Sequence, residues 1–196
     1  MKALNTQTKI ARTGAFSLIF IFFALHTTAQ SINQNWKKDL EASLVEFKNC
    51  EKSGGNGNPC ARFMGQSLKT VYKVDDFYSK EVNRYLYVSE ISKYLQESGQ
   101  WTNIGHAYEQ NALNKAQENA NANIATVAVY LHTSGVGHVV VILPGSLHSS
   151  GSWGFQVPNT SSFFAAAPDR SFVNKGLSYA FTKGLMKDVV LYSRKY

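Results

Sequence analysis

Residues 124–145 read IATVAVYLHTSGVGHVVVILPG. The two apolar runs, IATVAVYLH and HVVVILPG, are hydrophobic at nearly every position. A half-exposed strand alternates apolar and polar side chains, so runs of this kind predict strands covered on both faces. The short GVG link favours antiparallel pairing. Any fold of this chain must therefore supply elements that cover such a sheet.

The preceding residues supply them. In NQNWKKDLEASLVEFKNC (33–50), Trp36, Leu40, Ser43, Leu44 and Phe47 fall at helical spacing, and Cys50 ends the same stripe. KSGGNGNP then breaks the chain. A second helix is expected over about 59–73, with Asn58 as N-cap, Pro59 at the first position and Phe63, Met64, Ser67, Leu68, Val71 and Tyr72 on one face. Residues 81–97 suggest a third helix and 107–121 a polar fourth, with SGQWTNIG as a loop between them. WGFQVPN reads as a third strand lying beside the second. DVVLYSRKY reads as a last strand, and SFVNKGLSYAF before it has no clear assignment. Helices first and an antiparallel sheet afterwards is an α+β order.

The start of the chain reads differently. Lys2, Lys9 and Arg12 precede AFSLIFIFFAL, an apolar run of 11 that ends in Thr27-Thr28-Ala29. A membrane span needs roughly 20 apolar residues. The pattern is that of a secretory signal peptide over 1–29, leaving 30–196 as a single domain with a periplasmic or extracellular destination and no stable membrane insertion after signal removal. The alternative is an uncleaved anchor. The leader holds three of the 20 Lys/Arg and none of the 13 Asp/Glu, leaving a net +4. That balance fits an acidic envelope polymer, while the lack of a basic run argues against nucleic acid as a partner.

Cys60 follows Asn-Pro and stands in the first turn of the second helix. Three roles are open: packing, a disulfide with Cys50 in an oxidising compartment, or nucleophilic chemistry. Unpaired N–H groups at a helix start favour a thiolate and can also hold an oxyanion. A nucleophilic thiol needs an imidazole. Of the five histidines, His138 starts the second strand beside Gly135 and Gly137, which permit close approach of a backbone or a ligand. A third polar group would orient the ring. Gln156 and Asn159 are the candidates, with Asp169 and Asn174 behind them. Trp101, Trp153, Phe155 and Tyr108 are candidates for a groove or for the core. Nothing has metal-ligand spacing: there is no HxxxH, and the two cysteines are ten positions apart. No metal or other cofactor is expected.

The succession NPCARFMGQSL, ENANANIATVAVYLHTSGVGHVVVILPG, SGSWGFQVPN resembles the papain-like cell-wall hydrolases of bacteria, the NlpC-type and CHAP-type cysteine peptidases and amidases, including secreted amidase effectors. The resemblance covers about residues 56–160. It implies a papain-like fold, with N-terminal helices packed on an antiparallel β-sheet. Carried over by position, it makes Cys60 the nucleophile and His138 the base. The third catalytic position has no clear match, Gln156 and Asn159 standing nearest, where the commonest NlpC-type pattern has a further histidine. The implied activity is hydrolysis of amide bonds in peptidoglycan stem peptides, so the implied partners are peptidoglycan or its peptide fragments, with an inhibitor protein as a further candidate. Two other readings stand beside it: a non-catalytic secreted binding module stapled by a Cys50–Cys60 disulfide, and a related acyl transfer such as transglutamination or deamidation by the same Cys/His pair.

Overall fold

A computed structural model describes residues 31–50 and 59–196. The signal-peptide expectation for residues 1–29 and the proposed cap Asn58 lie outside the described residues.

The elements follow in order. Helix α1 spans Trp36–Lys48. A 3-10 turn at Pro59–Ala61 runs into α2, Arg62–Tyr72. A small hairpin, β1 (Tyr78–Ser79) and β2 (Arg84–Tyr85), leads to α3 (Val88–Glu97). Strand β3 (Trp101–His106) precedes α4 (Gln110–Asn121). Then come β4 (Thr126–Leu131), β5 (Gly137–Ile142), β6 (His148–Ser150), β7 (Phe155–Val157), β8 (Asn159–Ser162), β9 (Phe172–Gly176) and β10 (Val190–Arg194). The fold is mixed α+β. Its main sheet has six strands in the order β3-β10-β4-β5-β8-β9, and every pairing is antiparallel.

The central pair behaves as its sequence requires. Val139, Val140, Val141 and Ile142 are buried, as are Val127, Ala128 and Val129 opposite them. Helices α2, α3 and α4 all pack against β5. The stripe on α2 is buried from Phe63 to Tyr72. Its hydrophobic burial replaces water contact at roughly 25 cal/mol per Å² of apolar surface.

Three local expectations differ from what is found, and one unassigned segment takes a defined form. Residues 81–87 are not helical. Asn83 turns the chain at φ +50°, and the helix starts only at Val88, where the Glu90 carboxylate accepts the Tyr87 backbone N–H at 2.7 Å. SGQWTNIG carries β3, which among the described residues is an edge strand paired only to β10. An edge can leave polar side chains such as Thr102 and Asn103 in water, so its sequence lacks the strand signature. WGFQVPN does not lie beside the second strand. It forms β7, paired with β6 in a separate hairpin, and β8 takes the place next to β5. SFVNKGLSYAF contains β9 followed by a 3-10 turn at Leu177–Tyr179.

Among the described residues, no helix is long and apolar enough to cross a membrane.

Candidate functional site

The helix α2 and the strand β5 fix the site. Tyr72, at the C-terminal end of α2, donates from its hydroxyl to the Ile142 carbonyl at the C-terminal end of β5, at 2.6 Å. Both elements therefore start at the same end of the sheet. Cys60, in the turn before α2, and His138, second residue of β5, line one cleft of about 400 Å³. Met64, Tyr87, Val88 and Phe164 are among its other walls. Among the described residues the lining carries no Asp, Glu, Lys or Arg.

Cys60 is buried, at 4% exposure. Pro59 opens the 3-10 turn, and Ala61 is already helical at φ −64°, ψ −22°, so the turn and α2 form one continuous rise. The first turn of α2 contains no carboxylate and its cap makes no side-chain hydrogen bond. The positive end of the helix dipole is thus not neutralised locally. The sulfur, however, is not a thiol: Cys60 is joined to Cys50, with an S–S distance of 2.11 Å and Cα atoms 5.9 Å apart. In this state Cys60 has no lone thiolate to offer an acyl carbon.

His138 is held on three sides. Its Nε2 lies 2.6 Å from Ser162 Oγ. Its ring stacks on Phe164 at 4.3 Å and meets the edge of Phe181 at 5.7 Å. The register explains the first two contacts. Val141 faces Ser161 and Ile142 faces Thr160. Continued along β5, the same register puts Ser162 across from Val140 and Phe164 across from His138. Val140 shares a face with His138, so Ser162 reaches the ring diagonally. Burial, with a smaller contribution from the Arg170 cation, lowers the imidazole to about 4, although part of the ring still meets the cleft. Near neutral pH the ring is uncharged. With the proton on Nε2 and Ser162 accepting it, Nδ1 carries the lone pair that can take a proton from a reacting group.

Gly137 sets the approach of this strand end. A Cβ there would stand 2.5 Å from the Tyr130 carbonyl oxygen and 2.7 Å from Val88 Cγ1. Gly135 occupies the turn at φ +82°, a conformation glycine adopts without a steric penalty.

The two candidates for a third group are placed elsewhere. The Asn159 carbonyl accepts the Leu143 N–H, five residues along β5 from His138 and about 17 Å away at strand rise. Asn159 itself is buried, and its side chain works in a part-buried network. Nδ2 donates to Asn174 Oδ1 at 2.8 Å and to the Pro144 carbonyl at 3.1 Å, while Oδ1 lies 3.2 Å from His148 Nε2. Asn174 belongs to that network, away from His138. Gln156 sits on β7 with an exposed side chain, and its backbone is bonded to the Gln110 amide. Trp101 and Trp153 are core residues, Phe155 packs against the core, and Tyr108 is exposed; none of the four lines the cleft.

Ser162 escaped sequence reasoning. The β8 sequence NTSS is wholly polar, which reads as a loop, yet all four residues are buried. They tolerate burial because the strand backbone is paired on both sides and most of the side chains find partners, Thr160 donating to the Lys175 carbonyl at 2.8 Å. The only available signal is that this polar run abuts Phe163 and Phe164.

Among the described residues, no group of three or more His, Cys, Asp or Glu is arranged to hold a metal ion. In comparisons with known proteins, no family model matches this chain and no curated protein sequence matches it.

Proposed function

We propose that the protein is an exported, papain-like cysteine hydrolase of amide bonds in peptidoglycan stem peptides, latent while Cys60 is oxidised. The observation that carries this reading is that Cys60 and His138, 78 positions apart in sequence, line one cleft, with the imidazole held by Ser162. Once reduced, Cys60 passes its proton to His138 Nδ1 and attacks the carbonyl carbon. The N–H groups at the start of α2 stabilise the oxyanion. The imidazolium returns the proton to the leaving amine, and water then releases the acyl group from sulfur. The described walls of the cleft carry no Asp, Glu, Lys or Arg, which favours an uncharged segment of peptide on either side of the bond.

The disulfide favours a second reading, a non-catalytic binding module in which Cys50–Cys60 is a permanent staple. One experiment separates the two. Purified peptidoglycan is incubated with oxidised protein, reduced protein and reduced Cys60→Ala, and released fragments are identified by mass spectrometry. Fragments with new amide-cleavage ends from the reduced wild type alone support the hydrolase. Binding without fragments in all three samples overturns it, and deamidated or cross-linked products assign the related acyl-transfer chemistry instead.

A further inference from the structure

We infer that Cys50–Cys60 is a site of thiol–disulfide exchange for a low-molecular-weight thiol, which attacks the Cys50 sulfur and expels Cys60 as a thiolate into the cleft. Three features of the two sulfurs carry this. The first is access. Cys50 is half-buried at the end of α1, whereas Cys60 is buried at 4% exposure, so an incoming thiolate meets Cys50 first.

The second is the leaving group. Exchange is fastest when the departing sulfur is the better-stabilised anion. Cys60 departs toward the start of an 11-residue helix with no carboxylate in its first turn. Cys50 stands at the opposite kind of terminus. It follows the last turn of α1, and its N–H is bonded to the Phe47 carbonyl. There the helix dipole presents its negative end, which disfavours an anion. The start of α2 therefore favours the electron pair on Cys60, against the Cys50 carbonyl oxygen that lies 3.3 Å from the Cys60 sulfur.

The third is the shared cleft. Cys60 and His138 both line it, the ring is engaged at Nε2 by Ser162, and among the described lining residues there is no carboxylate to oppose a thiolate departing into it.

The step balances. An external thiolate RS⁻ forms an S–S bond to Cys50, the Cys50–Cys60 bond breaks, and its electron pair leaves on Cys60. A second RS⁻ attacks the external sulfur of the mixed disulfide, yielding RSSR and the Cys50 thiolate. Two thiols are oxidised and the protein gains two electrons. On the hydrolase reading, the first exchange alone arms the nucleophile, so the thiol acts as an activator; the exchange chemistry itself does not depend on that reading.

The test uses the oxidised wild-type protein and glutathione at pH 7. The reaction is stopped with acid at short times, new thiols are alkylated, and the modified peptides are mapped by mass spectrometry. The expected intermediate carries glutathione on Cys50 and the alkyl group on Cys60, in roughly ten-fold excess over the reverse adduct. Glutathione predominantly on Cys60, an even distribution, or a bond that survives millimolar glutathione overturns the inference. As a second measurement, the pH dependence of alkylation should give Cys60 in Cys50→Ala a lower thiol pKa than Cys50 in Cys60→Ala. Equal values also overturn it. Neither readout involves hydrolysis, so Cys50-directed exchange in a protein that releases no peptidoglycan fragments would sink the hydrolase and leave the exchange standing.

Discussion

The hydroxyl of Tyr72 and the carbonyl of Ile142 meet at 2.6 Å, seventy positions apart in the chain and fully buried. This bond ties the far end of α2 to the far end of β5. It forces the near ends, which carry Cys60 and His138, to the same edge of the sheet. Burial raises the Tyr72 phenol well above its ordinary range, so the side chain remains a donor across physiological pH.

Tyr72→Phe keeps the ring and removes the donor, leaving a buried carbonyl with less than its full bonding. A loss of about 1–2 kcal/mol in stability is expected, measured by chemical denaturation. An unchanged midpoint would mean that the ring packing alone aligns the two elements.

On the hydrolase reading, Ser162→Ala should lower the turnover of the reduced protein roughly 10- to 100-fold with little change in KM, because the ring loses the partner that fixes its tautomer. Ser162→Thr, which keeps the hydroxyl, should recover most of it. The nitrogen-15 shifts of the His138 ring offer a readout that needs no activity: the proton should reside on Nε2 in the wild type and distribute over both nitrogens in the alanine variant. Identical shifts in the two proteins would remove Ser162 from any positioning role.

His138 also predicts a pH dependence. Its folded value, about 4, lies below the ordinary histidine value of 6.5. Between these values the unfolded chain binds the proton and the folded protein does not. Stability from this group is therefore complete above about pH 6.5 and is lost as pH falls toward 4. The wild type should lose about 2 kcal/mol more than His138→Gln between pH 7 and pH 4.5, read from paired denaturation curves. Parallel losses in both proteins would show that the ring is hydrated in the cleft.

At Gly137 the obstruction is backbone on one side and a valine methyl on the other. Gly137→Ala should cost about 1–3 kcal/mol, because the start of β5 must move away from Tyr130 or Val88. Gly151→Ala is the control: a Cβ there meets nothing within 4 Å, and its stability should stay within about 0.5 kcal/mol of wild type. Similar losses at both positions would point to general loop sensitivity.

Strongly periodic or continuously apolar segments were legible in the sequence. The α2 stripe from Phe63 to Tyr72 and the paired runs of β4 and β5 follow from side-chain spacing alone, since burial selects residues at the repeat of the element. The edge strand β3 was not legible, because solvent on its open side removes the pressure for apolar residues. The polar strand β8 was not either, because what makes NTSS a strand is its neighbours on both sides.

By itself, then, the sequence determined the kinds of element, the buried faces of α2, β4 and β5, and the presence of a cysteine at a helix start and a histidine at a strand start. Only the tertiary structure decided which group holds His138, that Asn159 and Gln156 lie away from it, and that the Cys60 sulfur is bonded to Cys50. The physical reason is range. Periodicity is written into neighbouring residues, whereas strand register, and with it the Ser162–His138 pair, depends on segments that meet only when the chain closes on itself.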